Sequence, residues 1–325
     1  MSGVTCLPGL DPRAYRQHEL HGSQRNWPET NCYVDLWIEV LNSLGLPIEA
    51  ALGFTVTQDF EGDQFTFFKF PPEDLAQLFD LSVQELAIYD RVESHTLEQL
   101  QRGRLVLIEV DSFYLPDTHG TSYGLTHGKT TIAVNDLDPV NRQLRYFHNA
   151  GYFALQDKDF DGIFRADHAA GSAAAALFPY VEFVKFGNPS SVSILETSIQ
   201  LLKSHLRKRA AQNPIELFQK RFPEHAGVLG SKPMEFFHLY AFNTLRQLGA
   251  NFELLASHLT WLSKQGEGGL SDAIVAASEI ATGAKTLQFQ LARAMARKQF
   301  DKLAETMRPL VVAYDTVFGV LTHRY

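Results

Sequence analysis

The chain has 325 residues, of which 45% are hydrophobic and 20% charged, and its formal net charge is −8. That length supports a sizeable buried core in about two domains. The acidic balance argues against general nucleic-acid binding, which needs an excess of Lys and Arg, and no apolar run approaches the roughly 18 residues of a membrane span.

Residues 1–31 are turn-rich and polar, with Pro8, Pro12, Gly22 and Pro28, and read as an irregular arm. From Cys32 to about Leu44 the pattern is helical. Val34, Trp37, Ile38 and Leu41 recur at i, i+3, i+4 and i+7, while Asp35, Glu39 and Asn42 form a polar face. Thr30 or Asn31 suits the N-cap, and Gly45-Leu46-Pro47 the stop. FTFFKF (65–70) and LVLIEVDSFYL (105–115) read as strands, with short helices at 72–80 and 95–102. KTTIAVNDLD (129–138) and RQLRYFHNA (142–150) read as a hairpin around Asp138-Pro139-Val140-Asn141. Hairpin-connected strands behind a helix predict an α+β domain with an antiparallel sheet, not a doubly wound parallel one. AAGSAAAAL (169–177) is a short small-residue segment. Beyond Ser190 the periodicity is helical at 191–210, 214–221, 233–265, 270–298 and 300–322, predicting a C-terminal helical bundle. The expected domains are therefore 1–189 and 190–325.

Two cysteines, Cys6 and Cys32, are too few for a disulfide framework or a cysteine-only zinc site. The N-terminus lacks the charged start and apolar run of a secretory signal, so a cytoplasmic location with free thiols is expected. A thiol at a helix N-terminus, such as Cys32, feels the positive end of the helix dipole, which favours the thiolate. Cys32 equally fits a small buried hydrophobe. His127, in YGLTHGKTTIAV, opens an apolar strand, and Cys on an early helix with His on a later strand suits a thiolate–imidazolium pair. Asn149, in YFHNAGY, is the expected third member that fixes the imidazole, with His148 and Asp111 as less favoured choices. The Cys32 backbone N–H and a side-chain amide from Asn26 or Gln24 would supply the oxyanion donors. Asp111, Asp117, His119, His127 and His148 share one window, but none are paired at HxxxH or HxH spacing, so no metal and no other cofactor are expected. The basic cluster Lys203, Arg207, Lys208 and Arg209 reads as a solvated face or as a docking patch for an acidic carrier protein.

NCYVDLWIEVLNSLGL, DFEGDQFTFFK, LIEVDSFYLPDT, THGKTTI and YFHNAGY together resemble a bacterial group, domain-of-unknown-function family 1839, over essentially the whole chain. That group is similar to the N-terminal domain of the butirosin-biosynthesis acyltransferase. The resemblance implies a papain-like domain of the bacteriocin-peptidase (C39) type, turned from hydrolysis to acyl transfer. An aminoacyl or peptidyl group would pass from a carrier-protein phosphopantetheine thioester to an amine acceptor. Cys32 matches the nucleophile and His127 the base, and Asn149 stands where the peptidase-like relatives carry an Asp. A glutamine expected about six residues before the nucleophile is Asn26 here. The alternatives are a cysteine peptidase or thioesterase with the same residues, and a binding module in which Cys32 is inert.

Overall fold

The structure is a computed structural model that describes residues 3–165, 179–187, 193–300 and 302–325. AAGSAAAAL (169–177) therefore lies outside the described residues. The chain divides into two compact units. The first takes Met1–Glu19, Asn31–Leu46 and Pro72–Ser190, and the second takes Leu20–Thr30, Pro47–Pro71 and Ser191–Tyr325. This differs from a single cut near residue 190: the expected arm is shared between the units, and 47–71 goes with the C-terminal helices.

The first unit is α+β. Its helices are α1 (Cys32–Ser43), α2 (Pro72–Phe79), α3 (Val92–Gln101) and α4 (Lys158–Phe164). Its strands are β1 (Val4–Thr5), β2 (Leu81–Glu85), β3 (Leu105–Asp111), β4 (Lys129–Asp138), β5 (Gln143–His148), β6 (Gly151–Gln156) and β7 (Val181–Phe186). They form one seven-stranded sheet in the order β2-β7-β3-β4-β5-β6, with β1 paired to β4 and every pairing antiparallel. Ile108 pairs with Ile132 and Val134 with Tyr146, so Thr130, Ile132 and Val134 of β4 face a core that also holds Val106, Leu144 and Phe160, and after a bulge between Val134 and Asp136 the core residue is Leu137. Before the bulge, Lys129, Thr131 and Ala133 face the other way, where α1 packs on β4, β5 and β6. Tyr33–Leu41 of α1 are all buried, Asp35 and Glu39 included, and the N-terminal arm covers the helix at Glu39. There the Glu39 carboxylate accepts from the Tyr15 hydroxyl (2.7 Å), the His18 N–H (3.0 Å) and the Asn42 amide (3.2 Å).

In the second unit α5 (Ile194–Leu206), α6 (Pro214–Ser231), α7 (Phe236–Ala241), α8 (Gln247–Lys264), α9 (Ser271–Arg297) and α10 (Arg308–Arg324) form the helical region. A π-helical turn, Phe242–Arg246, joins α7 to α8. α6 runs through Pro223, which sequence reading treats as a terminator. FTFFKF does not form a strand; only Phe65 makes an isolated bridge, to Phe60. Its rings join an aromatic cluster instead, Phe65 against Phe218 at 5.2 Å and Phe70 against Phe54 at 5.2 Å. The apolar stretch Ile48–Thr57 forms 3-10 turns packed on α5 and α8. Trp27 is buried, with its Nε1–H donating to the Ala281 carbonyl at 3.0 Å and the Lys285 ammonium 4.2 Å from its ring. Among the described residues no helix is long and apolar enough to cross a membrane.

Two outcomes are expected for the second unit. A Cβ on Gly249 would lie 2.4 Å from the Trp27 ring, whereas one on Gly227 in α6 meets nothing within 4 Å. Gly227→Ala should therefore stabilise by up to about 1 kcal/mol, while Gly249→Ala should destabilise by about 1–3 kcal/mol; urea unfolding of both variants checks the sign. His258 Nδ1–H donates to the Glu49 carbonyl at 2.7 Å, and among the described residues its buried Nε2 has no hydrogen-bond partner. Burial, with a smaller contribution from His205, lowers it from 6.5 to about 4. The unfolded chain binds this proton more tightly, so stability should fall as the pH drops from 6.5 towards 4, by roughly 3 kcal/mol in all. In His258→Gln that component of the acid sensitivity should vanish from denaturation curves taken across this range.

Candidate functional site

Cys32 is the first residue of α1, and the Asn31 side chain caps the helix by accepting from the Val34 N–H at 3.0 Å. The Cys32 thiol is half-buried and points at β4, where Sγ lies 3.9 Å from Thr131 Oγ1. Thr131 is paired across the sheet with Glu109 and is odd-numbered, so this is the α1 face. On the same face Lys129 Nζ bonds Glu109 at 2.7 Å. Tyr33, next to Cys32, donates to one oxygen of buried Glu182 at 2.9 Å, and Tyr180 donates to the other at 2.8 Å. Burial first, and then the Glu182 carboxylate, push both phenols up, so they remain hydrogen-bond donors.

His127 precedes β4 and meets the end of β3. Its Nδ1 lies 2.6 Å from Asp111 Oδ2, and its ring stacks on Phe113 at 4.4 Å and 13°. A carboxylate at Nδ1 sets the tautomer with the proton there and leaves Nε2 as the acceptor. The His127 side chain is 69% exposed, and among the described residues Nε2 has no hydrogen-bond partner. Asp111 Oδ1 is itself held by the Phe113 and Gly128 N–H groups. The arrangement is an oriented, accessible imidazole of the kind that serves as a general base. Its orienter is Asp111, the less favoured choice from sequence.

Asn149 does not take that place. It sits at φ 44° in the two-residue loop between β5 and β6, a left-handed position that Asn tolerates better than most side chains, and it makes no hydrogen bond to His127. His148 is not on this face either: it is buried on the opposite side, with Nδ1 2.5 Å from Asp117 Oδ2 and Nε2 2.8 Å from Thr130 Oγ1. Cys32 and His127 share the α1 face of the sheet, but no hydrogen bond joins them; the thiol partner is Thr131. The amide candidates belong to the second unit: Asn26 donates to Thr282 Oγ1 at 3.1 Å, and Gln24 is exposed. Arg207, Lys208 and Arg209 lie exposed in the second unit, and Lys203 sits over the Tyr325 ring. Cys6 is half-buried against the sheet core, and burial pushes its thiol up to about 12. Of the sequence window noted for a metal, four members resolve into two His–Asp pairs, and among the described residues no group of three His, Cys, Asp or Glu could hold a metal ion. Two further members of the α1 face, Thr131 and Glu182, gave no signal in sequence because single Thr and Glu residues in strands are ordinary.

A family model, the DUF1839 N-terminal domain, matches residues 16–186, and the DUF1839 C-terminal domain matches residues 192–323. The chain belongs to the DUF1839 family. No curated protein matches it. The two family domains meet where the sheet-bearing stretch gives way to α5, although segments 20–30 and 47–71 of the first family domain fold with the helices of the second unit.

The His127–Asp111 pair predicts a pH signature. Desolvation raises the Asp111 carboxyl, but the hydrogen bonds from His127, Phe113 and Gly128 outweigh it and hold the group below its ordinary 3.8. The stability it contributes is full above that ordinary value and is lost as the pH falls through the lower native one. Wild type and Asp111→Asn should thus differ in stability at pH 5, and the difference should begin to shrink below about 3.9 and vanish only beneath the lower native value, as read by thermal melts across that range.

Proposed function

We propose that the protein transfers an acyl group from a thioester to an amine, with His127 as the general base. The observation that carries this reading is the His127 ring fixed by Asp111 and Phe113 with Nε2 turned outward, on the sheet face that also presents Cys32. A helix bearing Cys at its N-terminus, laid on an antiparallel sheet with His opening a strand, supports a papain-like reading of the fold. In the two-step route the Cys32 thiolate attacks the thioester carbonyl and the donor leaves as its thiolate. The amine then attacks the Cys32 thioester, His127 Nε2 takes the proton from the nitrogen, and the acyl carbon–Sγ bond breaks to return the Cys32 thiolate. The resting thiol faces Thr131, so His127 acts on the incoming amine in preference to the free enzyme's thiol. The resemblance to the butirosin acyltransferase makes an acyl or aminoacyl carrier protein, loaded on phosphopantetheine, the favoured donor. The exposed Arg207, Lys208 and Arg209 would steer such an acidic partner.

The Cys32–Thr131 contact also favours a second reading, in which Cys32 only packs and the chain is a binding module. Incubation with an aminoacyl-pantetheine thioester, read by intact mass, separates them. Acyl transfer requires an adduct on wild type and on Cys6→Ala that is absent from Cys32→Ala, and its release by amines should slow by about 10²–10⁴-fold in His127→Ala. Release to water at the same rate with saturating amine would make the protein a thioesterase. No adduct and no His127-dependent turnover would leave the binding module.

A further inference from the structure

Asp111 and His127 stand at the two ends of one connection, residues 112–128, between β3 and β4. The connection is closed on itself by the Ser112 N–H to the Gly128 carbonyl (2.8 Å) and by the Gly124 N–H to the Phe113 carbonyl (3.0 Å). Its tie to β5 is Asp117. One carboxylate oxygen accepts from the Tyr146 hydroxyl at 2.5 Å and the other from His148 Nδ1 at 2.5 Å. His148 Nε2, left without a proton, then accepts from the Thr130 hydroxyl at 2.8 Å. The Asp117 and His148 side chains are 3% and 1% exposed. A carboxylate sealed this far from water is tolerated only when its oxygens are bonded, so the connection is held wherever Asp117 finds these partners. The triad of Thr130, His148 and Asp117 has the order of a nucleophile, base and acid, yet its burial gives it no substrate.

We infer that the Asp117–His148–Tyr146 cluster is a latch that positions His127, making Asp117 and His148 positioning residues for the base on the opposite face of the sheet. The latch fixes the connection whose ends carry both members of the His127–Asp111 pair and whose Phe113 stacks on the ring. This rests on the proposed role of His127, but its first test needs no turnover.

The test uses full-length protein labelled with ¹⁵N-histidine, in wild type, Asp117→Asn and Tyr146→Phe. Above pH 8 wild-type His127 should show the Nδ1–H tautomer. Asp117→Asn should shift it to a mixture of tautomers, and Tyr146→Phe, which removes one of the two bonds, should do so to a smaller degree. Where acyl transfer is measurable, kcat should fall by up to about 100-fold with little change in KM for the amine. If Asp117→Asn does not fold, the near-isosteric Tyr146→Phe carries the test. A folded variant whose His127 tautomer and titration match wild type overturns the latch. A shifted tautomer in a protein that transfers no acyl group keeps the latch and removes the acyltransferase reading.

Discussion

The side chains of β4 alternate between two faces, and that alternation decides what every polar group around the strand can do. Lys129 and Thr131 stand on the α1 face; Thr130, Ile132 and Val134 stand on the core face. Two His–Asp pairs that are mixed in sequence are thereby separated. His127–Asp111 lies at the exposed end of the strand, while His148–Asp117 is sealed beneath it. A slip of one residue would carry Ile132 and Val134 to the α1 face and bring Ala133 into the core in their place. The slip is opposed by pairing on both sides, with β3 over Val106–Asp111 and with β5 from Ala133 onward.

Among the described residues of the first unit, buried carboxylates are satisfied by phenols in a common way, as where Asp159 accepts from the Tyr123 hydroxyl at 2.9 Å. Glu39 takes the Tyr15 hydroxyl, Asp117 takes that of Tyr146, and Glu182 takes those of Tyr33 and Tyr180. A phenol gives a short, charge-assisted bond and carries a large apolar ring with it, so the acid is satisfied without bringing in a second desolvated charge. Removing one such hydroxyl would leave a buried acceptor short by about 1–3 kcal/mol. These acids sit where elements meet: arm against α1, connection against β5, α1 against β7. The joints of the unit are thus polar and directional, and the apolar core supplies the bulk between them.

Local pattern was enough to read α1, the β4–β5 hairpin, the class of the first unit and the helical nature of the C-terminal stretch. Each depends on periodicity or turn chemistry within a dozen residues. Leu81–Glu85 was not legible as a strand because LSVQE at a sheet edge carries little apolar alternation. FTFFKF misled for the opposite reason: its β-type residues are claimed by aromatic partners more than a hundred residues away, such as Phe218. At the site, the types Cys, His and Asp were legible but their pairing was not. Asp111 and Asn149 both flank the hairpin, and only the path of residues 112–128 brings Asp111 to the imidazole while the turn claims Asn149.

The chain passes between the two units five times, at residues 19/20, 30/31, 46/47, 71/72 and 190/191. Segments 20–30 and 47–71 leave the ribosome long before α8 and α9, the helices that bury Trp27 and the 48–57 stretch. During synthesis these apolar segments wait without partners, a situation that invites chaperone capture or premature collapse. For the same reason the two family domains are not separable cassettes. A fragment ending near residue 190 keeps the orphaned segments, and one beginning there lacks the pieces that complete its core.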